Sequence, residues 1–282
     1  MKESTKVTVI SVFHNRKDNV AESVSSLLSQ TISNYAIVLV DDASTDETFL
    51  ELEKVTSGYD NVRLIRNNTN IGFTNSLIKT INEVNSDYVA IHGAGDISLP
   101  ERLKMQSEFL DSNCGVGLCS TSITNGNTRK KITGFVTLND LLKKNQITHG
   151  SVMFRRDLYE KVGGYRSFFT MRQDKDLWFR LLSISEAYIL PDCLYTLRKI
   201  KNSVSSSASK NILSVKLSCF ATQLARERAK SGVDNLEKHG ERAGLFCKKR
   251  YCYMQIFRLM HHAVVRANLK AFFDYIRMLG KI

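Results

Sequence analysis

The apolar run Tyr35–Val40 (YAIVLV) ends directly on two carboxylates, Asp41 and Asp42. A short run with no polar residue on either face reads as a strand buried on both sides, as in a parallel sheet. Ser44, Thr45 and Asp46 follow, and these residue types cap helices. The polar groups therefore open at the carboxyl end of a buried strand, the edge where open α/β sheets bind ligands.

The same alternation recurs along the chain. Lys6–Phe13 (KVTVISVF) predicts a buried strand, and Asn19–Gln30 a helix with apolar spacing at Val20, Val24, Leu27 and Leu28. Tyr35–Val40 is followed by a helix over about 45–55, and Asn61–Asn67 by one over about 74–84. Asp87–Gly93 is a fourth strand, LPERLKMQSEFL opens a helix with Pro100 in its first turn, and Gly115–Ser122 is a fifth strand. Connections this short predict an α/β fold, a mostly parallel sheet with helices on both faces.

At 282 residues and 43% hydrophobic, the chain can bury one sizeable core plus an appendage. Lys2 and Glu3 lead straight into a strand pattern, so no signal peptide is expected. No apolar run approaches the ~18 residues a membrane span needs. The six cysteines form no CxxC pair and have no His spacing for zinc, which predicts reduced thiols in a cytoplasmic protein. His261 and His262 are adjacent, diverge on a helix and make no metal pair.

Charge is uneven. Residues 206–282 hold 15 Lys/Arg against 5 Asp/Glu, whereas residues 1–205 carry a net charge of only +2. The seam falls near VSSSAS (Val204–Ser209), which predicts a first domain over 1–205 and a basic α-helical extension over 206–282. The extension interleaves Lys/Arg with aromatics. It reads first as a helical pair with its apolar side packed and its basic face solvated. A secondary reading is peripheral contact with anionic membrane. No recognisable motif supports nucleic-acid binding.

Two segments carry candidate chemistry. Val12–Asp18 (VFHNRKD) leaves the first strand with an aromatic, a His, an Asn and an Arg. Such a set can stack on a planar base and meet phosphate, or it can simply be a capped turn. Asp41 and Asp42 carry the same ambiguity, and two such segments at neighbouring strand ends favour a nucleotide pocket. Farther on, Arg172–Arg180 (RQDKDLWFR) opens a helix predicted over 174–185 with Asp174 at its start. A helix start keeps a carboxylate ionised, as a general base requires, although Asp174 and Asp176 equally suit plain charge complementation there. Trp178, the only tryptophan, is expected to pack.

Taken in order, VISVFHNRKD, ESVSSLLSQT, VDDASTDET, NIGFTNSL, LPERLKMQ, HGSVMFRRDLYEKVGGY and QDKDLWFRL resemble glycosyltransferase family 2, over about Val7 to Ser205. The resemblance implies a GT-A (Rossmann-like) fold and inverting transfer of a sugar. The donor would be a nucleotide-sugar of UDP, GDP or dTDP type. The acceptor would be a glycan or lipid-linked, at the inner face of the membrane in cell-surface polysaccharide synthesis. It also implies Phe13, His14 and Arg16 around base and diphosphate, Asp42 as the carboxylate that hydrogen-bonds the base, Asp174 as catalytic base, and His149 on the acceptor side. Inverting transfer independently needs one carboxylate, opposite the leaving nucleotide, to take the proton of the attacking hydroxyl.

Two departures stand out. The family's fourth strand ends in an acidic cluster that helps hold Mn2+ or Mg2+, but HGAGDISLPERL puts Gly93 and Gly95 at the acidic positions and leaves Asp96 one step later. Metal sites on phosphates often use one or two carboxylates, so Asp96 is the expected ligand, its alternative role being to cap the next helix. Ile200 stands where many relatives carry a His, while Arg198, Lys199 and Lys201 can still neutralise phosphate. These departures leave a second reading, a degenerate relative that binds nucleotide or glycan without turnover. The tail alone motivates a third, a basic membrane-associated scaffold.

Overall fold

Four of the apolar runs form the parallel half of one sheet: β1 (Thr5–Phe13), β2 (Tyr35–Asp41), β3 (Val62–Arg66) and β4 (Ser86–Gly93). They lie in the order β3-β2-β1-β4, with α1 (Lys17–Leu28), α2 (Thr48–Thr56) and α3 (Phe73–Glu83) crossing between them. The protein is seen as a computed structural model that describes residues 5–126, 128–130, 132–198, 208–250, 252–253, 256–257, 260–261 and 269–279. Lys199, Ile200, Lys201, residues 204–207 of the expected seam, and His262 lie outside the described residues.

Both faces of this half are covered. Val7, Val9, Phe13, Ile37 and Leu39 pack in one apolar cluster with Val20, Val24 and Leu27 of α1, Leu52 of α2, and Leu103 and Leu110 of α4 (Arg102–Ser112). Ile10, Val38 and Val40, on the opposite side of the pleat, are equally buried. Each fully buried aliphatic side chain stabilises by roughly 1.5–3 kcal/mol, so this packing outweighs the modest helix propensity of Val and Ser in α1.

The other half is mixed, where a mostly parallel sheet was expected. β9 (Met153–Arg155) runs antiparallel to both β4 and β6 (Val116–Asn125), and β10 (Glu186–Leu197) runs parallel to β6. β5 (Ile97–Ser98) and β8 (Gly134–Val136) pair antiparallel with β10, and β7 (Thr128–Lys130) with β6. Two reversals through β9 return β6 and β10 to the direction of β4. The chain therefore leaves β1, β2, β4 and β10 at one edge of the sheet, and the site residues follow from that.

Short helices α5 (Leu138–Lys143) and α6 (Arg156–Lys161) connect these strands. Pro100 falls two residues ahead of α4 rather than inside its first turn, with Glu101 at the N-cap position.

The chain divides into two compact units, Met1–Ser167 with Arg180–Ile200, and Phe168–Phe179 with Lys201–Ile282. The second contains most of α7 (Gln173–Leu181), with α8 (Ala208–Ser231), α9 (Asn235–His239) and α10 (Leu269–Leu279). Within it, Lys175 Nζ donates to Ser218 O, Ser218 Oγ and Thr222 Oγ1 at 3.2, 2.9 and 2.9 Å, and Phe168 and Phe169 pack on Phe220. These contacts attach the segment bearing Asp174 to α8. The six cysteines are free thiols, and among the described residues no helix is long and apolar enough to cross a membrane.

Candidate active site

The turns after β1 and β2 are bound to each other. Asp42 N donates to Phe13 O at 2.8 Å, Asn15 N to Ser44 Oγ at 3.0 Å, and Arg16 N to Thr48 Oγ1 at 2.8 Å. Asn15 and Ala43 take positive φ values of 51° and 54°, strained for residues with a Cβ, and this cross-bonding holds them there. The edge thus presents His14 and Arg16 on a fixed turn. His14 Nδ1 lies 2.9 Å from Asp42 O, and since a carbonyl only accepts, Nδ1 carries the hydrogen. Nε2 then accepts from Asn70 Nδ2 at 3.2 Å.

Phe13 requires a correction. It is fully buried in the apolar cluster, which leaves no face of its ring open for a base to stack on. As the last β1 residue its side chain points to the covered face under α1, and only its backbone reaches the edge.

Asp42 is also buried, and its carboxylate is already engaged. Oδ1 accepts from Asn67 Nδ2 at 2.9 Å and Ile71 N at 3.0 Å, and Oδ2 from Gly72 N at 2.9 Å. Gly72 has φ 86°, so the turn into α3 depends on a glycine clamped by this carboxylate. Three of the roughly four lone-pair sites are filled, which leaves room for one more donor. Asp41 is fully buried, Oδ2 meets Ser44 N at 3.3 Å and Arg66 Nε at 3.5 Å, and Oδ1 has no hydrogen-bond partner.

At the end of β4, a buried polar network replaces the expected acidic cluster. Asp96 Oδ2 accepts from Tyr195 Oη at 2.6 Å and Oδ1 from Arg198 N at 2.9 Å. Burial raises the Asp96 pKa against the lowering effect of those two bonds and of Arg102 and Arg198. Tyr195 Oη also accepts from Gly93 N at 2.9 Å. Beneath it, fully buried Arg102 donates to Ser98 Oγ, Gln106 Oε1, Ile91 O and Val152 O. His92 is fully buried too, with Nε2 3.1 Å from Asp96 O and Nδ1 3.1 Å from Ser98 Oγ.

This donor set does not fit a resident divalent cation. Each Asp96 oxygen already accepts from a protein donor, Tyr195 Oη or Arg198 N, and a cation that displaced either would leave that donor unmatched at a cost of about 1–3 kcal/mol. A Cβ on residue 93 would stand 2.3 Å from Asp96 Oδ2, so a second carboxylate there requires Asp96 to move away. Among the described residues no three His, Cys, Asp or Glu side chains gather as a cation site. Asp96 does not cap α4 either.

His149 opens a single 3-10 turn, His149–Ser151, beside this network. Its Nε2 lies 2.7 Å from Tyr165 Oη, and Phe73 meets its ring edge-on at 5.6 Å. A Cβ on Gly150 would lie 2.2 Å from Tyr195 Oη and 3.1 Å from Gly93 N, so the turn approaches β4 and β10 closely. Asp174 lies in the second unit, half-buried in the first turn of α7, after Arg172 at φ 62°. Trp178 is fully buried, as its packing role requires.

Sequence reasoning missed Tyr195, Arg102 and Gly150. Tyr195 sits in an ordinary strand pattern, and its partner Asp96 is 99 positions away, so no local signal marked it.

The sequence model described as Glycosyl transferase family 2 matches residues 8–176. EpsE of Bacillus subtilis, named as a glycosyltransferase, is 31% identical over 208 residues, 71% of this chain and 75% of its own. The amylovoran biosynthesis glycosyltransferase AmsE of Erwinia amylovora is 26% identical over 230 residues, 77% of this chain and 85% of its own. Among solved structures, the mannosyltransferase PcManGT of Pyrobaculum calidifontis, in complex with GDP-Man and Mn2+, matches with TM-score 0.64 and 18% identity. That match covers 99% of this chain and 75% of the other, and is a likeness of fold.

Proposed function

The chain belongs to glycosyl transferase family 2 and is a glycosyltransferase, and we propose that it moves a sugar, with inversion, from a nucleoside-diphosphate donor to a glycan or lipid-linked acceptor. The observation that carries this reading is the convergence of the β1, β2, β4 and β10 ends at one sheet edge, with the β1 and β2 turns bonded to each other and the β4 turn bonded to the residue after β10. Two further facts support it. AmsE is named for amylovoran biosynthesis, and PcManGT was solved with GDP-Man.

In this reading His14 and Arg16 face the donor, and Asp42 both clamps the turn into α3 and offers its remaining lone pair to the base. His149 serves the acceptor side, and Asp174 is the general base. The acceptor hydroxyl gives its proton to the Asp174 carboxylate while its oxygen bonds to the anomeric carbon. The bond from that carbon to the diphosphate oxygen breaks, and the nucleoside diphosphate leaves with the electron pair. Attack from the opposite face inverts the centre. No step is routed through Mn2+ or Mg2+, because Asp96 is held by Tyr195 and Arg198 and, among the described residues, no further His, Cys, Asp or Glu gathers with it into a cation site.

The second unit exposes Phe257, Phe273 and Ile276 within the basic third of the chain. That pattern supports peripheral contact with an anionic membrane, at the cytoplasmic face where a lipid-linked acceptor would be reached. A thermal-shift panel of UDP-, GDP- and dTDP-sugars tests the donor assignment. At a hundredfold excess over Kd the matching donor adds about 2.7 kcal/mol and raises Tm. A flat response to every nucleotide class would contradict it.

A further inference from the structure

In the donor reading, the turn after β4 is where a divalent cation would neutralise the diphosphate, yet its one carboxylate, Asp96, is buried. Asp96 accepts from Tyr195 Oη and from the backbone N–H of Arg198, and residue 93 has no space for a side chain while Asp96 stays there. A departing diphosphate still needs positive charge beside it.

Topology supplies a candidate. β10 ends at Leu197 on the same edge as β4, so Arg198 is the first residue past that edge, and Asp96 fixes its backbone at 2.9 Å. Its guanidinium pairs with Glu22 of α1, whose side chain is 66% exposed. An ion pair this open to solvent contributes little and is readily exchanged. A guanidinium is also the side chain best shaped to grip phosphate oxygens in a two-pronged fashion.

Resting on the donor reading above, we propose that Arg198, positioned through its backbone by Asp96, carries the charge-neutralising role at the donor diphosphate in place of a metal ion at Asp96. Arg198 exchanges Glu22 for the diphosphate when donor binds. Asp96 is a positioning residue whose hydrogen bonds to Tyr195 and Arg198 keep the cationic group at the sheet edge. The glycine at 93 is then part of the arrangement, since a side chain there would displace the Asp96 carboxylate.

Titration calorimetry of the full chain with UDP, GDP and dTDP, and with the matching nucleosides, tests this in excess EDTA and again with Mn2+. The expected result is diphosphate binding that is unchanged within about twofold by EDTA. Arg198→Gln should weaken it about tenfold or more without an equal loss for the nucleoside, and Arg198→Lys should restore part of it. Glu22→Gln should tighten diphosphate binding, because it frees Arg198, and a merely structural role for the pair would not produce that. Binding that requires Mn2+, or that Arg198→Gln leaves unchanged, overturns the proposal. If no nucleoside diphosphate binds with or without Mn2+, the donor reading itself fails, and this proposal with it.

Discussion

His92 shows how much of this chain's behaviour is set by single enclosed groups. Burial, reinforced by the positive Arg102, holds its pKa down to about 3. The tautomer follows from the partners, since Asp96 O can only accept and so Nε2 carries the hydrogen while Nδ1 accepts from Ser98. The fold thus favours neutral His92. Its contribution is complete above the ordinary value near 6.5 and is lost progressively as pH falls toward 3. Urea unfolding between pH 7 and pH 4 should show the parent losing stability faster than His92→Asn, by at most about 1.4 kcal/mol per pH unit. Parallel slopes would mean that His92 accepts a proton freely in the folded protein. Asp42 gives a second residue-scale expectation. Asp42→Ala removes the acceptor of Ile71 N and one of the two acceptors of Asn67 Nδ2 and of Gly72 N, which keep Ser76 Oγ and Asn70 Oδ1, so it should cost about 1–3 kcal/mol of stability as well as nucleotide affinity. Weakened binding with an unchanged urea midpoint would remove the clamp role.

Among the elements, those with full apolar runs or helical spacing were legible beforehand. β1 to β4, β6, and α1 to α4 fall within a few residues of their expected bounds, because each buries a long enough apolar set to impose its period. β5, β7, β8 and β9 are two or three residues long, too short for any period to show, and they exist because longer strands offer them edges. The mixed direction of the second half comes from these four short strands, so it was invisible in the sequence. Phe13 was misread for a related reason. With both faces of β1 buried, alternation gives no clue to which side chain faces the ligand edge. Asp96 was expected as a metal ligand, and its actual partners, Tyr195 in β10 and Arg198 just past it, lie about a hundred positions away, where no local signal could show them. The fit between elements is testable through Gly150. Gly150→Ala should destabilise by roughly 1–3 kcal/mol, as overpacking does, because its Cβ meets Tyr195 Oη at 2.2 Å. Tyr195→Phe removes that oxygen, so the double variant should lose less than the sum of the two singles. Strict additivity in urea titrations would show that the turn and β10 do not press on one another.

On the scale of the whole molecule, charge and chemistry are divided along the chain. The first 205 residues are nearly neutral, and residues 206–282 carry a net +10. With Phe257 and Phe273 each 57% exposed, the second unit combines an apolar and a cationic surface. The full chain should sediment with vesicles containing phosphatidylglycerol and be released near 1 M salt, where the screening length falls to about 3 Å. Equal binding to purely zwitterionic vesicles would show that charge is not responsible. The catalytic claim rests on Asp174 in the first turn of α7. Initial rates of sugar transfer from the preferred donor, measured for the parent and Asp174→Asn alongside donor affinity, test it most directly. The account predicts a fall in transfer of roughly 10²–10⁴-fold, with donor affinity held within about twofold. An Asp174→Asn variant that turns over like its parent would contradict it.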